Sequence, residues 1–193
     1  MTPRSARGQV PGSHTVLRAG ASGALLGAAV LHASVVVEHS EEWVLAGLFF
    51  VGLQAVETML AVVLWLRWCR GAAAAVVASS VGALAVWLVS RTTGLPLGPA
   101  SFRVPEEIGG TDLACAVLEV LAALLVLPAL RRRRPDAAPR TARDRSPSAG
   151  SLAVAGLLLT VVAVVTVAGL RHGAEHEHEH PGVPEAALTT AGR

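Results

Sequence analysis

Histidine and carboxylate gather in two places in this chain. The segment RHGAEHEHEHPGVPEAALTTAGR sets His172, His176, His178 and His180 among Glu175, Glu177 and Glu179. In a helix, His172, His176 and His180 form an i, i+4, i+8 row. In an extended strand, His176, His178 and His180 share one face. Either form presents neutral imidazole to a borderline divalent ion such as Zn, Cu, Ni or Co. A flexible tract of this kind suits capture rather than catalysis. The plainer alternative is a solvated polar tail.

The second group is harder to accommodate. His32, Gln54, Glu57, Asp112, Cys115 and Glu119 interrupt otherwise apolar runs. Gln54 and Glu57 are three residues apart and share a helix face. Asp112, Cys115 and Glu119 recur at i, i+3 and i+7, again on one face. Imidazole, thiolate and carboxylate are the ligand types for Zn and related ions. The candidate metal ligands are therefore His32, His39, Asp112, Cys115, Glu119 and the four tail histidines. Gln54 and Glu57 read as buried polar groups. If the first helix continues, His32 and His39 share a face but sit roughly 10 Å apart, too far for one ion. The competing reading makes His32, Glu57 and Glu119 interhelical hydrogen-bonding groups with neutral carboxylates.

These residues need elements to hold them, and the elements are apolar. The chain has 193 residues, 52% of them hydrophobic, and a mean hydropathy of +0.54. A soluble domain of this length carries more charge and fewer unbroken apolar stretches. Five runs are long enough to cross a bilayer: about 19–37, 44–66, 72–89, 113–130 and 152–170. The expected fold is an all-α integral membrane bundle, a four-span unit over 17–130 with an appended fifth helix over 151–171. Residues 1–16 read as a disordered N-terminus, 131–150 as a basic disordered linker and 172–193 as the His/Glu-rich tail.

Charge sets the orientation. Every basic side chain is Arg, which a GC-rich bacterial genome explains without functional selection. With the N-terminus inside, the inner segments hold Arg4, Arg7, Arg18, Arg67, Arg70, Arg131, Arg132, Arg133, Arg134, Arg140, Arg143 and Arg145. The positive-inside rule then puts the N-terminus in the cytoplasm and the tail outside, in the plasma membrane. A cleaved signal peptide ending near Ala33 is the rival for the first run, which is longer than the usual apolar core of such a peptide. Arg131 to Arg134 suit a stop-transfer anchor first and anionic lipid headgroups second. No folded basic module accompanies them, so nucleic acid is not an expected partner. Trp43, Trp65, Trp68 and Trp87 fall at span edges, where indoles anchor helices. Gly23 and Gly27 form a G-x-x-x-G, a helix-packing pattern.

The third-to-fourth connection, SRTTGLPLGPASFRVPEEIGG, is rich in Pro and Gly and should form fixed turns with little helix. Arg91 stands at its start against the charge rule, within reach of Glu106, Glu107 or Asp112. The segment reads as a cap over the bundle or, more sharply, as a lid over a site.

With an outer turn VEHSEEW (Glu38, His39, Glu42, Trp43), the run Ser90 to Pro99 and a following PEEIGGTDL (Glu107, Gly109, Asp112), the chain resembles a group of small actinobacterial multi-pass membrane proteins that also carry a His like His32 in the first span. The resemblance covers roughly residues 20–130 and implies a four-span unit. It implies no activity.

Other chemistries find less support. Cys69 and Cys115 are expected at opposite depths, too far apart for a disulfide, and there is no C-x-x-C. A bis-histidine haem needs paired imidazoles on facing helices, and His32 has no intramembrane partner histidine. Neither H-E-x-x-H nor G-x-S-x-G occurs, so an enzyme is not expected. Two readings lead: handling of a divalent metal on the outer side, or a structural, partner-binding membrane protein without chemistry.

Overall fold

The computed structural model describes residues 13–131, 159–168 and 170–171. The linker beyond Arg131, including Arg132, Arg133 and Arg134, and the tail with His172, His176, His178 and His180 lie outside the described residues.

The described chain is helical, without strands. Helix α1 spans Ser13–Ser34 and α2 Val36–Glu42. Helix α3 spans Val44–Leu66 and α4 Arg70–Thr92. A 3-10 turn follows at Ala100–Arg103, then α5 at Gly110–Leu130. A last apolar helix, α6, covers Leu159–Ala168. Four helices are long and apolar enough to cross a membrane: α1 from His14, α3, α4 and α5. Helix α6 is the described part of the expected fifth span and by itself is shorter than a crossing requires.

Helix α1 has the lowest mean hydropathy of the four, 1.4 against 2.5 for α5, yet it is the most enclosed. Small residues explain the enclosure. Ala21, Ala24, Ala28 and Ala29 let neighbouring helices approach closely. Helix α1 packs on α3 and α5, and α4 packs on α5 and α3. Leu25 and Leu31 of α1 join Leu64 of α3, Val76 of α4, and Leu118 and Val126 of α5 in the core, all out of solvent. The Ser22 hydroxyl donates to the Ala61 carbonyl at 3.1 Å and pins α1 to α3. The outward faces of α3, α4 and α5 expose Leu48, Val51, Val62, Leu88 and Leu124, as lipid-facing surfaces should.

The G-x-x-x-G pair does pack a helix. A Cβ on Gly23 would stand 2.8 Å from Leu159 Cδ2, and one on Gly27 2.6 Å from Thr166 Oγ1 and 3.0 Å from Leu118 Cδ1. Helix α6 therefore lies along the glycine face of α1, and its Val162 is buried there.

The first run does not continue as one helix to Val37. It breaks at Val35, where the backbone leaves the α-helical pattern between α1 and α2. The Ser34 hydroxyl donates to the Leu31 carbonyl at 2.7 Å, the back-bonding that bends helices. Three consecutive β-branched valines follow, Val35 to Val37, which crowd a helix turn. Helix α2 then carries the chain on to Trp43, whose extended backbone reverses it into α3. The outer turn thus sits a full short helix beyond the end of α1.

Candidate functional site

The reversal at Trp43 sets which residues of α1 and α3 meet. His32 lies 11 positions before Trp43 and Glu57 lies 14 after it. In an antiparallel pair those positions fall at about the same depth. His32 Nδ1 stands 3.0 Å from Glu57 Oε2. A first helix ending near Val37 places His32 too close to the outer surface; α2 adds the missing depth.

Glu119 arrives from α5. One ligand atom each from His32, Glu57 and Glu119 lies within 4.8 Å of the others, and all three residues are buried. Glu57 is 0% exposed and Glu119 2%. Ser80 of α4, also buried, lies beside Glu119. Every one of the four long helices thus sends a polar side chain to one point.

The hydrogen bonding there is incomplete. Glu119 lies within side-chain hydrogen-bonding reach of Glu57 and Ser80, but Glu57 Oε1 and both Glu119 oxygens find no well-aligned donor among the described residues. Buried polar atoms normally have partners, and buried charge without one is costly. Arg91, in the same bundle, pairs with Glu106 and Asp112 rather than with Glu57 or Glu119. Among the described residues, the trio is the one cluster of three or more ligand-type side chains with metal-compatible spacing.

Cys115 touches this centre from the side. Its Sγ lies 3.3 Å from His32 Nε2 and 3.8 Å from the Ala28 carbonyl. With the thiol proton on the Ala28 carbonyl, Nε2–H donates to sulfur and Nδ1 keeps a lone pair toward Glu57. With the thiol proton on Nε2, Nδ1–H donates to Glu57. The contact orients the imidazole in both cases, as second-layer partners of metal-bound histidines do.

The other candidate ligands are engaged elsewhere. His39 Nδ1–H donates to the Val35 carbonyl at 2.9 Å, and its ring stacks edge-on against Phe50 at 4.6 Å. Asp112 accepts from Arg91 at 2.6 Å and from the Gly109 amide at 3.1 Å, closing the start of α5. Gln54 is half-buried and lines a shallow groove with Val51, Thr58 and Met59, apart from the trio. The face shared by Asp112, Cys115 and Glu119 is real: all three border one cavity. Cys69 and Cys115 are both free. Sequence reasoning missed Ser80. The signal was the Ser79–Ser80 pair in the middle of an apolar run.

Above the trio lies a cavity of about 330 Å³. Its floor includes His32, Cys115 and Glu119, and its far end includes Arg91 and Glu106. The segment 93–109 covers that end as a fixed structure. Leu95 N–H donates to the Phe102 carbonyl at 2.6 Å, and Glu106 N–H to the Ser90 carbonyl at 3.1 Å. Gly94 has φ +74°, and a Cβ there would strike the backbone of Arg103. Only glycine holds that turn without strain. Arg91 ties the segment down through Glu106 and Asp112. Phe102 is buried beneath it, 5.5 Å from Trp43. Trp43 and Trp87 border the cavity.

The helices define a class: an all-helical chain with at least four segments able to cross a membrane and a buried polar centre between them. In comparisons with family models, curated proteins and solved structures, nothing matches the chain.

Proposed function

We propose that this protein binds a divalent transition-metal ion between His32, Glu57 and Glu119, reached from the extracytoplasmic side. The observation that carries it is the convergence of two buried carboxylates and one buried imidazole, with one ligand atom of each within 4.8 Å of the others. Two carboxylates, a neutral imidazole and a dication sum to zero charge, the arrangement a low-dielectric interior favours. Donors about 2.1 Å from a tetrahedral ion stand about 3.4 Å apart. The 3.0 Å between His32 and Glu57 is close to that, and a Glu119 ligand atom lies within 4.8 Å of both. One nitrogen and several oxygens favour Zn, Co or Ni over Cu(I).

The wider topology belongs to the same proposal. Five spans put the N-terminus in the cytoplasm and the histidine tail outside, in the plasma membrane. His172, His176, His178 and His180 then capture ions on the side where the cavity opens. Arg131, Arg132, Arg133 and Arg134 anchor the inner face against anionic lipid headgroups. The role is binding or transfer of the ion, not catalysis.

A second reading rests on the direct contact between Glu57 and Glu119. A proton shared by Glu57 and Glu119 also relieves their repulsion, and the trio is then a purely structural polar knot. Titration decides between the two. Full-length protein with His172, His176, His178 and His180 changed to Ala should retain one Zn or Co per chain against a competing chelator. E57Q or E119Q in that background should weaken retention at least about 100-fold, as loss of a ligand exceeds loss of an outer-layer contact. A tail-substituted protein that holds no ion, while remaining folded, sinks the metal reading in favour of the structural one.

A further inference from the structure

Two polar side chains of α3 stand outside the trio. Gln54 is half-buried and Thr58 exposed, one turn apart near the middle of Val44–Leu66. They border a shallow groove with Val51, Ala55, Met59 and Val62, all four exposed and apolar. In a helix that crosses a membrane, this depth is hydrocarbon. The Gln54 carboxamide carries two N–H donors and a carbonyl acceptor, and lipid tails meet none of them. Among the described residues its side chain makes no hydrogen bond. Every residue lining the groove belongs to α3, so no other described helix covers it. Helices α1 and α4 pack on α3 elsewhere, and α6 is placed on the glycine face of α1. Only a further membrane helix brings a polar partner to the depth of Gln54.

We infer that this face of α3 is a two-fold interface between two copies of this chain, centred on a Gln54–Gln54 pair inside the membrane. Copies of one chain insert in one orientation. A two-fold axis along the bilayer normal then sets α3 beside α3, with equal residues at equal depth. A carboxamide is its own complement: each Gln54 donates an N–H to the carbonyl of the other, and one contact serves both copies. An unrelated helix would need a polar residue at the matching depth, which a second copy carries by construction. Ala55 and Thr58 are small and let the two helices approach closely. The groove lies apart from the trio, and the pairing does not depend on an ion.

Full-length protein carrying a donor or an acceptor dye on the exposed Cys69 would be mixed in phosphatidylcholine liposomes and followed by energy transfer as lipid is added. Transfer should fall along a dimer-to-monomer curve. Gln54→Val, which suits a lipid-facing position, should weaken association about tenfold, within the range for polar pairs between membrane helices. Gln54→Asn keeps a carboxamide and should lose less. Gly82→Leu adds a side chain in open space on α4 and should change nothing. A second measurement needs no change at Gln54. In a Cys69→Ser background, Thr58→Cys should give a covalent dimer when the liposomes are oxidised with iodine, and Gly82→Cys should not. A chain that stays monomeric at the lowest lipid ratio overturns the inference. So does association that Gln54→Val leaves unchanged, or a covalent dimer formed through Gly82→Cys and not through Thr58→Cys.

Discussion

His32, Glu57 and Glu119 meet because three helices deliver them to one depth, and only together do they make sense. Alone, each is an expensive buried group. With a dication, the charges cancel. Under the proposed metal reading, Cys115 acts through the imidazole it touches rather than on the ion. C115S, which keeps a hydroxyl near Nε2, should therefore weaken Zn retention about tenfold or less, far short of E57Q. Chelator competition separates the two magnitudes. The sequence made the ligand types legible but not their grouping. The face of Asp112, Cys115 and Glu119 followed from helical spacing and is present. His39 and Asp112 are spent on local contacts with Val35, Arg91 and Gly109, which no spacing rule reveals. Glu57 reads only as a buried polar group in the sequence, because nothing in the spacing of its own helix shows that α1 brings His32 beside it.

The depth of His32 is set by the elements. Hydropathy cannot see the break at Val35, since Val35, Val36 and Val37 are as apolar as the helix before them. The span boundaries of α3 were legible because Trp43 and Arg67 flank them in sequence. Glycine packing was legible too, though not its partner; the glycine face of α1 meets α6. Gly27→Leu should push α6 off that face and cost about 1–3 kcal/mol, as overpacking does. A lowered unfolding midpoint in detergent would record it, with Gly52→Leu, which meets open space, as the control. The segment 93–109 depends on Arg91. Arg91→Ala strands Glu106 and Asp112 without their cation and should cost about 1–3 kcal/mol, the range for hydrogen bonds to charged groups. Limited proteolysis should then cut within 94–109 faster than in the unaltered protein. Equal rates would mean that Gly94 and the buried Phe102 hold the segment unaided.

For the whole molecule, the proposed sidedness makes the two cysteines useful probes. Cys69 is exposed in the turn between α3 and α4 and Cys115 is largely enclosed beside His32. An impermeant maleimide should label Cys69 from the cytoplasmic side alone and leave Cys115 unmodified in intact membranes. Labelling of Cys69 from outside would invert the proposed topology and with it the direction from which the cavity is reached. The helical class and the apolar spans were legible from composition and run length. The convergence of four helices on one polar point was not, because it depends on how the helices pack around the small residues of α1.

The central claim is that an ion sits among one imidazole and two carboxylates inside the bundle. X-ray absorption on Zn-loaded, full-length protein with His172, His176, His178 and His180 changed to Ala tests it most directly. The predicted spectrum has a nitrogen and oxygen shell near about 2.0–2.2 Å, a single imidazole contribution and no sulfur near about 2.3 Å. A sulfur shell, several imidazoles, or a folded protein that retains no zinc would contradict the account.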